Sequence, residues 1–489
     1  MVSRFVATNY QLPITNYQSM NPADLAFTPA LEQARLVRNK EVSPLELVQL
    51  YLERIERLNP QLGCYFTVMA EMAIAQAQTQ TQMLAEADKS TELPPFFGVP
   101  IAIKDLNPVA DVPCCYGNPA LRDRIATYDD VVVTKVKQAG FIILGKTATS
   151  ELGSFPYTEP TGFPPARNPW NPEYTPGGSS GGAAAAVAAG LCAIAQGSDA
   201  GGSIRGPAFC CGLVGIKPAR GRVSYAPFGD RLSGVAANGP IARTVMDAAA
   251  LLDVISGYVT GDPYWLPEPN SSFLAAAMQP PSSLRIAFTN SLPEIGTADS
   301  VCQQAVLGAV RLLEAMGHRV EEGCPDFTGL IEPFTTVWQA GVAYAGIPKE
   351  VLQPMNQWLL ERSGSAGDYL RAVDAVHAIA RRIIAFFDSV DVLILPTYMH
   401  PPIRVGEWAA LSPEETLQKI INWVAPCPPF NASGLPAIAI PTGFAPNGLP
   451  IGIQIVGRPT AEATIIAIAA QLEVDKFWSQ HRPVMGSNG

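Results

Sequence analysis

The chain has 489 residues, 48% of them hydrophobic and 16% charged. Set against a charged fraction of about 25% in ordinary globular proteins, this composition predicts a compact chain with a high interior fraction, while the length alone allows two or three domains. A net charge of −10, with no basic run longer than a pair, opposes a nucleic-acid partner.

Residues 1–11 hold no apolar core of signal-peptide length, and the Ala/Gly-rich run 183–195 is too weakly apolar for a membrane span. A cytoplasmic protein with no membrane partner is expected. Ser43-Pro-Leu-Glu46 reads as a capping box with proline at the first helical position, and Leu45, Val48, Leu52 and Ile55 follow at helical spacing. A second helix over about 68–87 ends at the Pro/Gly-rich stretch 92–98, so the spacing predicts an N-terminal helical layer over about 28–90.

From Val99 strands and helices alternate: a short apolar strand ending in Lys104, a helix near 130–139, a strand over 141–144 and a helix from Thr244 with Asp247 as its cap partner. Later candidates are strands over 284–288, 391–395, 437–440 and 451–456 and a helix over 299–316 ended by Gly317. This alternation predicts an α/β fold, a mixed central β-sheet covered on both sides by helices, with active groups at strand ends and turns. No repeat or clear linker occurs, and the Pro/Ser-rich region 258–283 is the loosest; a single domain over 1–489 is expected, with its core at about 95–257. Between 327 and 390 lies a helical insertion whose rings Phe334, Trp338, Tyr344, Trp358 and Tyr369 are candidates for a pocket wall.

The nine cysteines show no Cys-x-x-Cys spacing, and the adjacent pairs 114/115 and 210/211 read as core packing. The four histidines, at 318, 377, 400 and 481, form no ligand spacing, so no metal and no cofactor are expected.

The stretch that carries chemistry is Thr175-Pro-Gly-Gly-Ser-Ser-Gly-Gly182, followed by an Ala-rich run that favours a helix, a short apolar segment and a second glycine turn, Asp199-Ala-Gly-Gly-Ser-Ile-Arg205. Alone, a Gly/Ser run is a flexible linker. The apolar run and the second turn show that the chain is tightly packed here.

The pattern resembles the amidase signature family of serine hydrolases. The resemblance implies Ser203 as nucleophile, Ser179 after a cis peptide bond with Gly178, and Lys104, in Gly98-Val-Pro-Ile-Ala-Ile-Lys-Asp105, as the base. Further segments, among them Gly145–Glu151, Gly212–Pro218, Gly239–Arg243 and Gly434–Pro441, extend the resemblance over most of 30–475. The implied activity is cleavage of a small-molecule carboxylic amide, through an acyl-enzyme on Ser203, to acid and ammonia or amine. The apolar run before Lys104 suggests a desolvated amine that is neutral at ordinary pH. The amides of Ala200, Gly201, Gly202 and Ser203 can form an oxyanion hole, with Gly178, Ser180, Asp199 and Arg205 as support. An apolar or aromatic acyl group is expected, and a homodimer is left open.

Two rivals remain at this point. The glutaminase subunit of a tRNA-dependent amidotransferase is weakened because Arg231-Leu-Ser-Gly-Val-Ala-Ala-Asn-Gly-Pro240 replaces the usual Ser-Leu-Asp-Gln context. A phosphate- or nucleotide-binding loop lacks the lysine that should follow the second glycine group.

Overall fold

Eleven strands join into one mixed sheet in the computed structural model, which describes residues 21–88, 90–476 and 478–484. The expectation made for residues 1–11 lies outside the described residues. In chain order the strands are β1 (Tyr65–Val68), β2 (Pro100–Lys104), β3 (Ile142–Thr147), β4 (Ile194–Asp199), β5 (Val214–Lys217), β6 (Ala237–Ala242) and β7 (Arg285–Phe288). A two-residue pair, β8 (Ser291–Leu292) and β9 (Gly296–Thr297), stands apart; β10 (Arg319–Glu322), β11 (Val392–Pro396), β12 (Ala437–Phe444) and β13 (Pro450–Gly457) complete the set. The order across the sheet is β1-β3-β2-β4-β6-β5-β12-β13-β11-β7-β10. Strand β2 runs parallel to β3 and β4, whereas β6 meets β4 and β5 antiparallel.

Every residue of β2 and of β13 is buried. Successive side chains of a strand point to opposite faces, so unbroken burial means that both faces are covered. The expected α/β class with a mixed, helix-covered sheet is what the chain adopts.

Helices Pro22–Phe27, Ala30–Arg38, Pro44–Leu62 and Ala70–Glu86 form the N-terminal layer. The capping box is present: Ser43 Oγ accepts from the Glu46 amide at 3.2 Å, and the Ser43 amide donates to Glu46 Oε2 at 2.8 Å. The buried stripe runs through Leu47, Val48, Tyr51, Ile55 and Leu58, while Leu45 and Leu52 are only half-buried, a turn of the face relative to the expected one. The helix expected from 68 begins two residues later, because Tyr65–Val68 is taken up as an edge strand against β3.

The insertion beyond 327 is helical, as Ile331–Tyr344, Pro354–Glu361 and Ala366–Phe386. Region 258–283 holds only the short helix Phe273–Ala277. The paired cysteines 114/115 and 210/211 are all buried. Among the described residues no helix is long and apolar enough to cross a membrane.

Candidate active site

Parallel neighbours β2 and β4 have their C-terminal ends on the same side of the sheet, with Ile103 opposite Gln196 in the register, so Lys104 comes level with Gly197, the residue before Ser198. The loop that carries Ser179 comes to the same strand ends, immediately before the fully buried helix Gly181–Ala188. Lys104 Nζ donates to Ser179 Oγ at 2.8 Å, Ser198 Oγ at 3.0 Å and the Ser198 carbonyl at 3.2 Å. The Gly178–Ser179 peptide is cis. A Cβ on Gly178 would lie 2.5 Å from the Tyr157 nitrogen and 2.6 Å from the Phe155 carbonyl, closer than any side chain can sit, which explains the glycine.

Burial pushes the Lys104 amine down to about 7, opposed only by the nearby Asp199 carboxylate. The amine is therefore neutral in a large fraction of molecules near neutral pH. The Ser180 amide donates to the Ser203 carbonyl at 3.2 Å, which ties the Ser179 loop to the Ser203 turn. Ser179 and Ser203 line one cavity, although among the described residues their hydroxyls do not hydrogen-bond to each other.

The Ser203 turn is built around one ion pair. Asp199 and Arg205, both fully buried, meet at 2.9 Å, and Asp199 also accepts from the Gly202 amide at 2.7 Å and the Ile204 amide at 3.1 Å. Burial alone would raise the Asp199 carboxyl; the Arg205 charge and the hydrogen bonds from Arg205 and Asn431 outweigh it and hold it well below the usual carboxylate range. Arg205 also donates to Gln454 Oε1, Asn431 Oδ1 and the Cys427 carbonyl, linking the turn to β13 and the helix Pro428–Ala432. Arg205→Met leaves Asp199 buried and unpaired, so it is expected to lower stability by about 3–5 kcal/mol, read as an earlier denaturant midpoint. An unchanged midpoint would show that the turn stands without the pair.

This turn corrects one expectation. The Gly202 amide is occupied by Asp199 Oδ1, because the aspartate side chain folds back over its own turn, so Gly202 is not a free donor. The amides of Ala200, Gly201 and Ser203 make no hydrogen bond among the described residues. Gly202 still needs to be glycine, with φ at +124° and Cys427 pressed against it.

The cavity has a volume of about 530 Å³ and a mostly apolar wall. Phe334, Trp338 and Tyr344 of the insertion line it; Trp358 and Tyr369 do not. Sequence reasoning passed over Ser198, whose two oxygens flank the Lys104 amine, although it stands next to the quoted Asp199. It also missed Asn431 and Gln454, which hold Arg205 from more than 220 residues away and carry no local signal.

The chain is similar to known proteins over most of its length. The family model described as Amidase matches residues 46–466. A putative amidase of Synechocystis sp. is 55% identical over 95% of this chain and 92% of its own length. The structure of 6-aminohexanoate cyclic dimer hydrolase complexed with substrate superposes with a TM-score of 0.88 at 31% identity, over 94% of this chain and 99% of that one. A bacterial aryl acylamidase described as an amidase signature enzyme superposes with a TM-score of 0.84 at 26% identity, over 93% and 97%. A family match across this much of the sheet and both glycine turns leaves one assignment: the chain belongs to the amidase family, the amidase signature enzymes that hydrolyse amides.

Proposed function

We propose that the chain, acting as one catalytic domain, hydrolyses a carboxylic amide through an acyl-enzyme on Ser203, with Ser179 relaying the proton to Lys104. The observation that carries the reading is the 2.8 Å contact of the buried Lys104 amine, pushed down to about 7 by burial, with Ser179 beside the cavity that Ser203 lines. A hydroxyl accepts one proton while it donates another, so Ser179 can take the Ser203 proton and pass its own to Lys104. As the Ser203 oxygen attacks the carbonyl carbon, negative charge grows on the carbonyl oxygen. The unengaged amides of Gly201 and Ser203 are the donors for it, with Ala200 beside them. Collapse of the intermediate returns the proton by the same path to the leaving nitrogen. Ammonia or an amine departs, and water then releases the acid by the reverse sequence.

The apolar wall and the rings Phe334, Trp338 and Tyr344 favour an apolar or aromatic acyl group over a zwitterionic one such as glutamine. The similarity to an aryl acylamidase and to a hydrolase of a cyclic aminohexanoate dimer supports the same direction. Ammonia release from 4-phenylbutanamide is expected to exceed that from glutamine by at least about tenfold in kcat/KM, from burial of the phenyl group alone. Faster turnover of glutamine would count against this acyl preference.

A further inference from the structure

One wall of the cavity carries polar groups that the proposed chemistry does not use. Gln196 Nε2 donates to Asn107 Oδ1 and to Asn238 Oδ1, each at 3.0 Å. Asn107 Nδ2 donates in turn to Asp130 Oδ2 at 2.9 Å and to Asn238 Oδ1 at 3.3 Å. Gln196 Oε1 accepts from the Lys104 amide at 3.2 Å, so the network hangs from the strand that carries the lysine. Three polar atoms of this wall are buried without a hydrogen-bond partner among the described residues: Asp130 Oδ1, Asn238 Nδ2 and the Tyr225 hydroxyl. Asp130 and Asn238 are 2% and 0% exposed, and all three residues line the cavity. Asp130 stands at the N-cap of helix Val131–Gln138 but makes no side-chain cap bond there.

A buried polar group left unpaired destabilises the fold, so three together on one cavity wall mark a place that a ligand completes. The set comprises an acceptor on Asp130, a donor on Asn238 and a hydroxyl on Tyr225 that can do either. Its complement is a neutral group that offers one N–H and one carbonyl oxygen. A free ammonium would face Arg231, which lines the same cavity and acts on Asp130, and a free carboxylate would face Asp130 itself. Asn238 lies opposite Ser198 in the β4–β6 pairing, one strand from the hydroxyl that touches Lys104. The second group is therefore joined to the scissile carbonyl by a short spacer, and the apolar wall suits an aliphatic or aromatic one.

Building on the amide hydrolysis proposed above, we propose that the substrate carries two amide groups, one cleaved at Ser203 and one held intact by Asp130, Asn238 and Tyr225. The test is calorimetric binding to Ser203→Ala, with hexanamide as the monoamide and the straight-chain diamides from butanediamide to octanediamide as probes. At least one diamide is expected to bind at least about tenfold tighter than hexanamide, the worth of one or two hydrogen bonds. Adding Tyr225→Phe is expected to shrink that ratio at least about threefold, and Asn238→Asp, which replaces the donor by an acceptor, to abolish it. If Asn238→Asp does not fold, Tyr225→Phe decides, since its hydroxyl has no protein partner to lose. The proposal is overturned if no diamide binds tighter than hexanamide, if Tyr225→Phe weakens both alike, or if 6-aminohexanamide or the half-acid of hexanediamide binds more tightly than the diamide. Wild-type enzyme that keeps the diamide preference but releases no ammonia from these compounds would overturn hydrolysis at Ser203 and leave the subsite standing.

Discussion

Lys104→Ala is expected to lower kcat/KM by about 10³-fold or more, the scale of a positioned general base in acyl transfer. The wild-type profile supplies the second half of the result. The base acts only when neutral, and its amine is pushed down to about 7 by burial, so kcat/KM should climb with pH through that value. Below it the neutral fraction falls about tenfold per pH unit, and at pH 5 about one hundredth of the limiting rate remains. The acid limb should vanish in Lys104→Ala, whose residual rate comes from the amide donors alone. Lys104→Arg should fail as well, because guanidinium does not deprotonate. Lys104→Met, close in volume to lysine and apolar, separates loss of the base from loss of packing in a site with no solvent exposure. A profile flat from pH 5 to 9, or near-normal activity in Lys104→Ala, would place the proton elsewhere.

Ser203→Ala should remove turnover almost entirely, by about 10⁵-fold or more in kcat, since no acyl-enzyme can form without the hydroxyl. The fold should tolerate the change, because the turn is held by Asp199 and Arg205 and the Ser203 hydroxyl makes no hydrogen bond among the described residues. Thermal unfolding within a few degrees of wild type, together with absent activity, is the expected pair of results. A fluorophosphonate should label the wild type at one serine and leave the variant unlabelled. Mass spectrometry that finds the label on Ser179 or Ser180 would reverse the roles given to the two glycine turns.

The sequence by itself determined those features whose cause is local. The Ser43 capping box, the start of the helix at Thr244, the apolar runs that became β2 and β3, and the two Gly/Ser turns all depend on residues within a few positions of one another, where backbone preference and short-range hydrogen bonding decide the outcome. Lys104 and Ser179 can be paired from the sequence only because both stand in motifs with a family precedent. Composition or periodicity would not have joined residues 75 apart. Tertiary structure alone decided the sheet order, in which β4 lies between β2 and β6 and so sets Ser198 and Asn238 opposite each other. It decided that the Gly202 amide is spent on Asp199, and that Gln454 and Asn431 reach back to Arg205. It also gathered Asp130, Tyr225 and Asn238 on one wall. The physical reason is the same in each case: a side chain's partners across the fold are chosen by how whole strands and helices pack, and such contacts leave no spacing in the chain for a reader to find.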